Sequence, residues 1–420
     1  MTTVDANIKQ TVRLDDVITT VVMARVTDYF GFFVFAMASA LVFPTVFFPY
    51  LDPVAGTLAS FAVFSLAFIA RPIASLAGRR LQRRIGRAGK ITVALMLLGT
   101  STVAIGLLPG YERLGWLAPA LLAGLRIVQG LGLGGSWDGL TLQLKSAAPK
   151  DRDGLYSMVP QLGGPIGFCV AAAMFYVLTG FLTEEEFMTY GWRFAFFAVM
   201  AVNVVSLFAR LRLLTTNFGS DEETILKSSP LVPLIRNEWR SVLLSALVPL
   251  SSYALLHMLT VFPLSYTLLF TDNAIETIIL WQLIGGALAV VTVVLSGVLA
   301  DKYSKRGITL VASVLTLALC LTIGTLDTMP GLFIVLGFII FGLSYGQSSA
   351  IVPNRFSPEN RYSGSALATN LSWILGAAFA PFIGLFLAHN VGLWGAALYL
   401  VSGVVVTLFA LAVLQRRTER

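Results

Sequence analysis

The sequence predicts an all-α membrane protein with about twelve transmembrane helices arranged as two six-helix halves. Three observations support this fold class. The 420-residue chain is 56% hydrophobic and only 12% charged, which is too apolar for a water-soluble surface. Apolar runs long enough to cross a bilayer as helices recur along the whole chain. The sequence lacks the roughly ten-residue alternating segments that are typical of an outer-membrane β-barrel.

The predicted spans are joined mostly by short turns, and several contain Gly or Pro, which membrane helices tolerate. They cover approximately residues 21–48, 56–77, 91–110, 116–144, 156–182, 192–212, 242–270, 276–300, 308–327, 330–352, 362–388 and 392–415. The longest break contains NFGSDEETILKSSP and predicts a cytoplasmic linker at 213–241, between an N-terminal half (1–212) and a C-terminal half (242–420). Similar basic turns, RRLQRRIGRAGK after the second span and ADKYSKRG after the eighth, indicate two related halves around a central site.

The distribution of basic residues predicts the orientation of the chain, because loops rich in Lys and Arg stay in the cytoplasm. Nearly all of them fall on one side: Arg79, Arg80, Arg83, Arg84, Arg87 and Lys90, then Lys145, Lys150 and Arg152, then Lys302, Lys305 and Arg306, and finally Arg416, Arg417 and Arg420. We therefore expect a multi-pass protein of the cell (inner) membrane with both termini in the cytoplasm. This asymmetry and anionic lipids account for the net charge of +7 without a nucleic-acid partner.

Four stretches resemble one family of transporters. They are GTLASFAVFSLAFIARP (56–72), LRIVQGLGLGGSWDG (125–139), DGLYSMVPQLG (153–163) and RYSGSALATNLSWILG (361–376). On these residues the chain resembles the major facilitator superfamily, and within it the metabolite:proton symporters that carry citrate, oxoglutarate, shikimate, and proline or betaine. The resemblance extends from about Asp28 to Leu387 and implies the major facilitator fold, with alternating access to a cavity between the halves. It does not specify the substrate.

The acidic residues of the predicted spans depart from the pattern of that family. The family reads GGEWGG in the fourth span, so its glutamate falls on Ser136 here, and Asp138 follows two residues later. In the first span the family reads EWYDF, whereas this chain reads DYFGF, which keeps Asp28 and places Gly31 at the second acid. Asp28 and Asp138 are thus the two acids predicted inside the membrane spans of the N-terminal half.

Asp28, Asp138 and Arg126 are the first candidates for proton coupling and substrate binding. Arg126 and Asp138 lie about 18 Å apart along one helix and roughly 120° apart around it, so they cannot pair. Asp138 and Asp28 both fall in the inner half of their spans, where two neighbouring carboxylates can share one proton. We predict that they carry the coupled proton and that Arg126 binds an anionic group. The alternative is that Asp138 only supports packing near the cytoplasmic end.

Other polar and aromatic side chains inside the spans could line the same cavity. The candidates for substrate binding are Gln129, Trp137, Tyr253, His257, Asn370 and Trp373. Each could instead join helices to one another, and His257 could sense pH or be a packing residue. Arg71, at the end of the second span, is predicted to reach the membrane interface as an anchor.

The turns after the second and eighth spans predict a cytoplasmic gate. The family reads GDRIGRK in the first of these turns, and its aspartate is replaced here by Arg83, whereas the second turn keeps Asp301. In related transporters that aspartate lies at the N-terminus of the eleventh helix. Here the helix is predicted to open with SPEN, with Ser357 as N-cap and Glu359 in its first turn, so Glu359 could pair with Arg83. The alternative is a solvated basic turn that only sets the topology.

Together these features predict a monomeric secondary active transporter that imports a small organic acid or zwitterion with protons. A proton-driven antiporter that exports a small molecule or drug is the main alternative, because LGGPIG (162–167) resembles an antiporter motif. A facilitator without proton coupling and a channel are further alternatives. With two histidines, no HExxH and no clustered cysteines, the sequence gives no support for an enzyme, a metal site or a cofactor.

Overall fold

The computed structural model describes residues 14–136, 144, 149–215, 229–348 and 355–416. Within these residues, eleven helices are long and apolar enough to cross a membrane, and a further apolar helix has 16 residues. In chain order the twelve are α1 Leu14–Leu41, α2 Pro53–Ala74, α3 Arg80–Leu107, α4 Leu117–Gly135, α5 Asp153–Phe181, α6 Arg193–Thr215, α7 Val232–Phe270, α8 Ile275–Lys302, α9 Lys305–Cys320, α10 Pro330–Ser348, α11 Arg361–Val391 and α12 Leu393–Arg416. The helical membrane fold predicted from the sequence is confirmed.

Several helix boundaries differ from the sequence prediction, and two of the differences have identifiable reasons. The first helix ends at Leu41 rather than near residue 48, because Pro44 starts a separate short helix, Phe43–Phe47. The seventh begins at Val232, inside the predicted linker, because its first turns are amphipathic. There Leu234 and Val242 are buried while Arg236 and Arg240 are exposed. Because charged residues interrupt the apolar ones, this segment does not form a continuous apolar run and was predicted as part of the linker.

The turn between α2 and α3 is itself helical, and the helix that contains both, Pro53–Leu107, departs from helical geometry at Gly86. Gly86 has a φ of 77°, a conformation that glycine adopts without steric cost. Because successive helices alternate in direction, the C-terminal ends of α4, α6, α8 and α10 lie at the same end of the bundle as this turn. We call this end, which carries Arg83, Arg84 and Lys302 on its surface, the basic face.

Helices α2 and α4 approach each other closely along a row of small residues. A Cβ atom added at Gly130 would lie 2.4 Å from the carbonyl oxygen of Ala67, and one at Gly134 would lie 2.2 Å from that of Arg71. Small residues permit this close backbone approach between membrane helices. The packing sets the register of α4 against α2, which determines where the side chains of α4 lie in the bundle.

The two halves meet at the centre through aromatic and polar contacts. Phe168 of α5 stacks on Phe338 of α10 with 5.4 Å between ring centroids. The hydroxyl groups of Tyr29 in α1 and Tyr345 in α10 form a hydrogen bond across the halves. These contacts place the polar side chains of the spans in a narrow central region.

Candidate functional site

Arg126 is anchored in the N-terminal half by a chain of hydrogen bonds. The close packing of α4 on α2 lets its Nε donate to the carbonyl oxygen of Phe64 at 3.2 Å. Its Nη1 donates to Oε1 of Gln129 at 3.0 Å, and Nε2 of Gln129 donates to Oγ1 of Thr102 at 2.8 Å. The guanidinium therefore has a fixed orientation although it belongs to a long side chain.

The charge of Arg126 is buried without a counter-ion in the described part of the chain. The side chain is 1% exposed, and no described carboxylate lies within 4.0 Å of its guanidinium. The rings of Phe35 and Phe64 lie 3.8 and 5.0 Å from its Cζ, and Nη2 has no hydrogen-bond partner. A buried cation costs free energy that ring contacts offset only in part. The site is therefore suited to bind an anion.

His257 of α7 contacts Phe64, one of the two rings that lie beside Arg126. Its ring centroid is 5.6, 5.5 and 6.4 Å from those of Phe32, Phe64 and Phe68, and the residue is fully buried. Neither ring nitrogen has a hydrogen-bond partner. A neutral imidazole carries one donor and one acceptor, and both are costly to bury unpaired. Since Phe64 contacts both side chains, we call Arg126 and His257 together the Arg126–His257 pair.

A cavity of about 100 Å³ lies between the halves, and neither Arg126 nor His257 is among its lining residues. Its lining residues come from both halves: Arg25, Asp28, Tyr29, Phe32, Arg71, Leu133, Ser136, Pro160, Gln161, Tyr253, Thr369 and Trp373. Phe32 separates the cavity from His257, because its ring contacts both His257 and Trp373. Tyr253 stacks on Trp373 with 4.4 Å between centroids. Arg71 does not point to the membrane interface as predicted, since its Cζ lies 5.7 Å from the Trp373 ring and it lines the cavity.

Asp28 lines the cavity as part of an ion-paired cluster. Its Oδ1 accepts a hydrogen bond from Nη2 of Arg210 in α6 at 2.7 Å, and its Oδ2 lies 3.6 Å from Nη1 of Arg25. Arg210 is fully buried and also donates to the carbonyl oxygen of Ala24. The sequence analysis missed Arg210 because it sits near the end of a span, where a basic residue is ordinarily a flanking charge. Its position inside a predicted span was the available signal.

The structure divides the predicted site residues into groups. Arg126 bonds to Gln129 and shares Phe64 with His257, and Asp28, Tyr253 and Trp373 line the cavity. Asn370 is buried in α11, one turn from the cavity residue Trp373. Asp138 and Trp137 lie outside the described residues. Among the described residues, no cluster of His, Cys, Asp or Glu could bind a metal ion.

Asp301 forms a contact between the halves at the basic face. Its carboxylate accepts hydrogen bonds from the backbone amides of Gly154 at 2.5 Å and Leu155 at 3.1 Å, at the start of α5. The positive end of a helix dipole favours an acid at this position. Beside it, Nζ of Lys305 lies 2.5 Å from Oδ2 of Asp153. We call these contacts the α5–α8 latch.

Arg83 and Glu359 do not form the pair that the sequence suggested. Both side chains are exposed, and no ion pair joins them in the described structure. Helix α11 begins at Arg361 rather than at Pro358. The N-cap predicted at Ser357 is therefore wrong, because the amide of Asn360 bonds back to the Ser357 carbonyl and closes a turn before the helix.

The acid at the start of α11 comes from α7 instead. Oε1 of Glu238 accepts hydrogen bonds from Oγ of Ser357 and Nδ2 of Asn360, each at 2.7 Å. Helix α7 is kinked at Glu238, which has a φ of −125°. This contact lies within the C-terminal half and joins the helix that follows the linker to the turn that precedes α11.

Replacing Glu238 with alanine should destabilise the protein by about 1 kcal/mol, because two hydrogen bonds to a charged acceptor at a helix start are lost. Glu359→Ala is the matched control, since it removes a neighbouring exposed acid without such contacts. Thermal unfolding of the purified proteins in detergent measures the difference. Equal melting temperatures for the two variants would contradict the assignment of Glu238.

Comparison with known proteins gives consistent results. The sequence profile of the Major Facilitator Superfamily matches residues 29–370. The inner membrane metabolite transport protein YhjE of Escherichia coli K12 is 35% identical over 401 residues, which cover 91% of this chain and 90% of that protein. The shikimate transporter of the same organism is 26% identical over 415 residues, 94% of this chain and 93% of its own.

Similarity to solved structures extends over nearly the whole fold. The crystal structure of a D-xylose-proton symporter superimposes with a TM-score of 0.74, covering 94% of this chain and 97% of the other, at 15% sequence identity. At that identity the likeness concerns the arrangement of helices and not the ligand.

Proposed function

Because the chain belongs to the major facilitator superfamily, whose members are transporters and not enzymes, we propose that it imports a small organic acid or zwitterion together with protons. It is a multi-pass membrane protein that transports solutes across the bilayer. We further propose that it works as a monomer in the inner membrane, with the basic face and both termini in the cytoplasm. The excess of basic residues on one face supports this orientation.

The observation that carries the proposal is the Arg126–His257 pair. A cation buried without a described counter-ion, with a free Nη2 and a fixed orientation, offers a carboxylate a charge-assisted hydrogen bond. His257 adds an unpartnered group from the opposite half. An anion bound between them would therefore contact both halves, as alternating access requires. The named substrate of one relative, shikimate, carries a carboxylate.

The sequence assigns the coupled proton to Asp28 and Asp138, and that assignment stays a prediction. Asp28 lines the cavity, which supports a part in coupling, but its carboxylate is bonded to Arg210. Proton exchange at Asp28 would require this ion pair to separate during the transport cycle. The LGGPIG sequence does not by itself support the antiporter alternative. Gly163 and Gly167 of this sequence pack closely against the backbone of α1, which is a structural reason for glycine at both positions.

The proposal is tested by uptake into proteoliposomes of labelled shikimate, citrate, 2-oxoglutarate, proline and betaine under an inward proton gradient. We expect saturable uptake of one compound that falls when the gradient is collapsed. Vesicles without protein control for leakage. Uptake that is unchanged without the gradient would indicate a facilitator, and proton-driven release of a preloaded compound would indicate the antiporter.

We also propose that the α5–α8 latch closes the cytoplasmic side. Asp301→Ala should lower the uptake rate about tenfold, because removal of two hydrogen bonds to a charged acceptor shifts the closing equilibrium by about 1.5–3 kcal/mol. Asp151→Ala is the control, since Asp151 lies nearby and its side chain is 80% exposed. Initial uptake rates at matched protein levels decide the result. A normal rate in Asp301→Ala would count against the latch.

A further inference from the structure

We infer that His257 binds the proton that is cotransported, so that the proton and the anionic group of the substrate occupy the Arg126–His257 pair as one unit. This inference rests on the proposed function and names the coupling residue of the same site. It differs from the prediction made from the sequence, in which Asp28 and Asp138 carry the proton.

The first argument comes from hydrogen bonding. Both nitrogens of His257 lack partners in a position that is fully buried, between helices of opposite halves. A packing histidine ordinarily donates one hydrogen bond, and burying its donor and acceptor unpaired costs free energy. A substrate carboxylate would accept a hydrogen bond from either nitrogen. The hydrogen-bond donor of His257 is therefore satisfied only when a ligand supplies an acceptor.

The second argument comes from charge. While the site is empty, a proton on His257 would place a second positive charge near Arg126 in a medium of low dielectric constant. A carboxylate between the two side chains removes that repulsion and favours the proton. Binding one carboxylate and one proton together leaves the net charge of the site unchanged. Binding either one alone changes a buried charge, so the two ligands favour each other's binding.

The third argument is that other ionisable groups around this part of α7 have partners of their own. Phe32, Phe64 and Phe68 form the wall of α1 and α2 that faces the imidazole. Ionisable groups on α1 and on the helices that pack beside α7 are engaged elsewhere. Asp28 bonds to Arg210, and Tyr29 bonds to Tyr345. Tyr253 and Arg71 lie against Trp373, and further groups bond in the pairs Tyr266 with Asp327, Tyr399 with the Gly376 carbonyl, and Cys320 with the Ala397 carbonyl. Among the described residues, Arg126 is the ionisable side chain that shares Phe64 with His257.

The proton balance of the cycle is simple. A proton from the outer solution adds to one nitrogen of His257, and the substrate carboxylate binds between the imidazolium and the guanidinium of Arg126. After the halves rearrange, the proton and the carboxylate leave to the cytoplasm, and Arg126 keeps its charge throughout. One proton therefore accompanies each carboxylate that binds at this pair.

The test measures proton uptake on binding by calorimetry of the purified protein with the same five compounds, in two buffers of different ionisation enthalpy. We expect about one proton per bound substrate, and an affinity that weakens by up to tenfold per pH unit as the pH rises. His257→Gln should bind its substrate without proton uptake and without this pH dependence. His389→Gln, at an exposed position on α11, should behave like the unaltered protein.

A second measurement does not depend on the stability of the His257 variant. The chain has two histidines, so His389→Gln protein labelled with ¹⁵N-histidine gives signals from His257 alone. Substrate should convert the imidazole to the imidazolium form. Proton uptake that persists in His257→Gln, or is lost only in Asp28→Asn, overturns the inference and leaves the proposed function intact. Failure of all five compounds to bind or to be taken up overturns both.

Discussion

Arg126→Gln should lower kcat/KM for uptake by about a hundredfold, since the loss of a charge-assisted bond to a buried carboxylate is worth up to about 3 kcal/mol. The same change should leave the folded protein at least as stable, because it removes a buried charge that has no described counter-ion. Arg126→Lys keeps the charge but loses the planar fork, and we expect an intermediate rate. Proteoliposome uptake and thermal unfolding measure the two effects separately.

Arg193 provides the matched control for Arg126. It begins α6 at the end of the bundle opposite the basic face, and its Nη1 donates to the carbonyl oxygens of Gly106 and Leu108 at 2.6 and 2.9 Å. Arg193→Gln should therefore lower the melting temperature while KM stays unchanged. If Arg126→Gln also lost stability and kept its KM, Arg126 would be a structural residue and the proposed anion site would be wrong.

Gly134→Val should prevent stable packing of the N-terminal half. Even the Cβ atom would lie 2.2 Å from the carbonyl oxygen of Arg71, so α2 and α4 would have to separate. Overpacking of this kind costs about 1–3 kcal/mol, and the branched side chain adds to it. Separation would also remove the bond from Arg126 to the Phe64 carbonyl. Expression level and thermal unfolding in detergent measure the loss.

Gly124→Val tests whether the effect depends on position. Gly124 lies on the same helix, and a Cβ atom added there would meet nothing within 4 Å. This variant should express and unfold like the unaltered protein. A comparable loss of stability in both variants would mean that valine is harmful in α4 generally, and the α2–α4 contact would not be the cause.

The sequence was sufficient to predict those features of the fold and the site that depend on the position of a residue within a membrane span. Apolar length predicts the helices, and a charged or polar residue inside a span marks Arg126, Gln129, His257 and Asp28 as unusual. The sequence does not show which helices face each other. Arg126 and His257 were therefore candidates for separate reasons, and their common contact with Phe64 emerged only from the fold.

The contacts that sequence reasoning missed are those between distant segments. Arg210 was not among the candidates although it bonds to Asp28, and Glu238 was assigned to a linker although it bonds to the turn before α11. Both partners lie more than a hundred residues away along the chain. Periodicity and composition describe residues that are neighbours along one helix, so they do not predict contacts between distant segments of the chain.

The contacts between the halves at the α5–α8 latch and between α2 and α11 should differ in how they respond to salt. The α5–α8 latch includes the Asp153–Lys305 ion pair, whose carboxylate and ammonium side chains are 38% and 18% exposed. Mobile ions screen such partly exposed charges over about 8 Å at physiological ionic strength. Where α2 meets α11, Phe68 stacks on Trp373, and mobile ions do not weaken that ring contact. If the α5–α8 latch closes the cytoplasmic side as proposed, we expect a rise in ionic strength to loosen the latch more than this ring contact, and so to raise the fraction of molecules that are open to the cytoplasm.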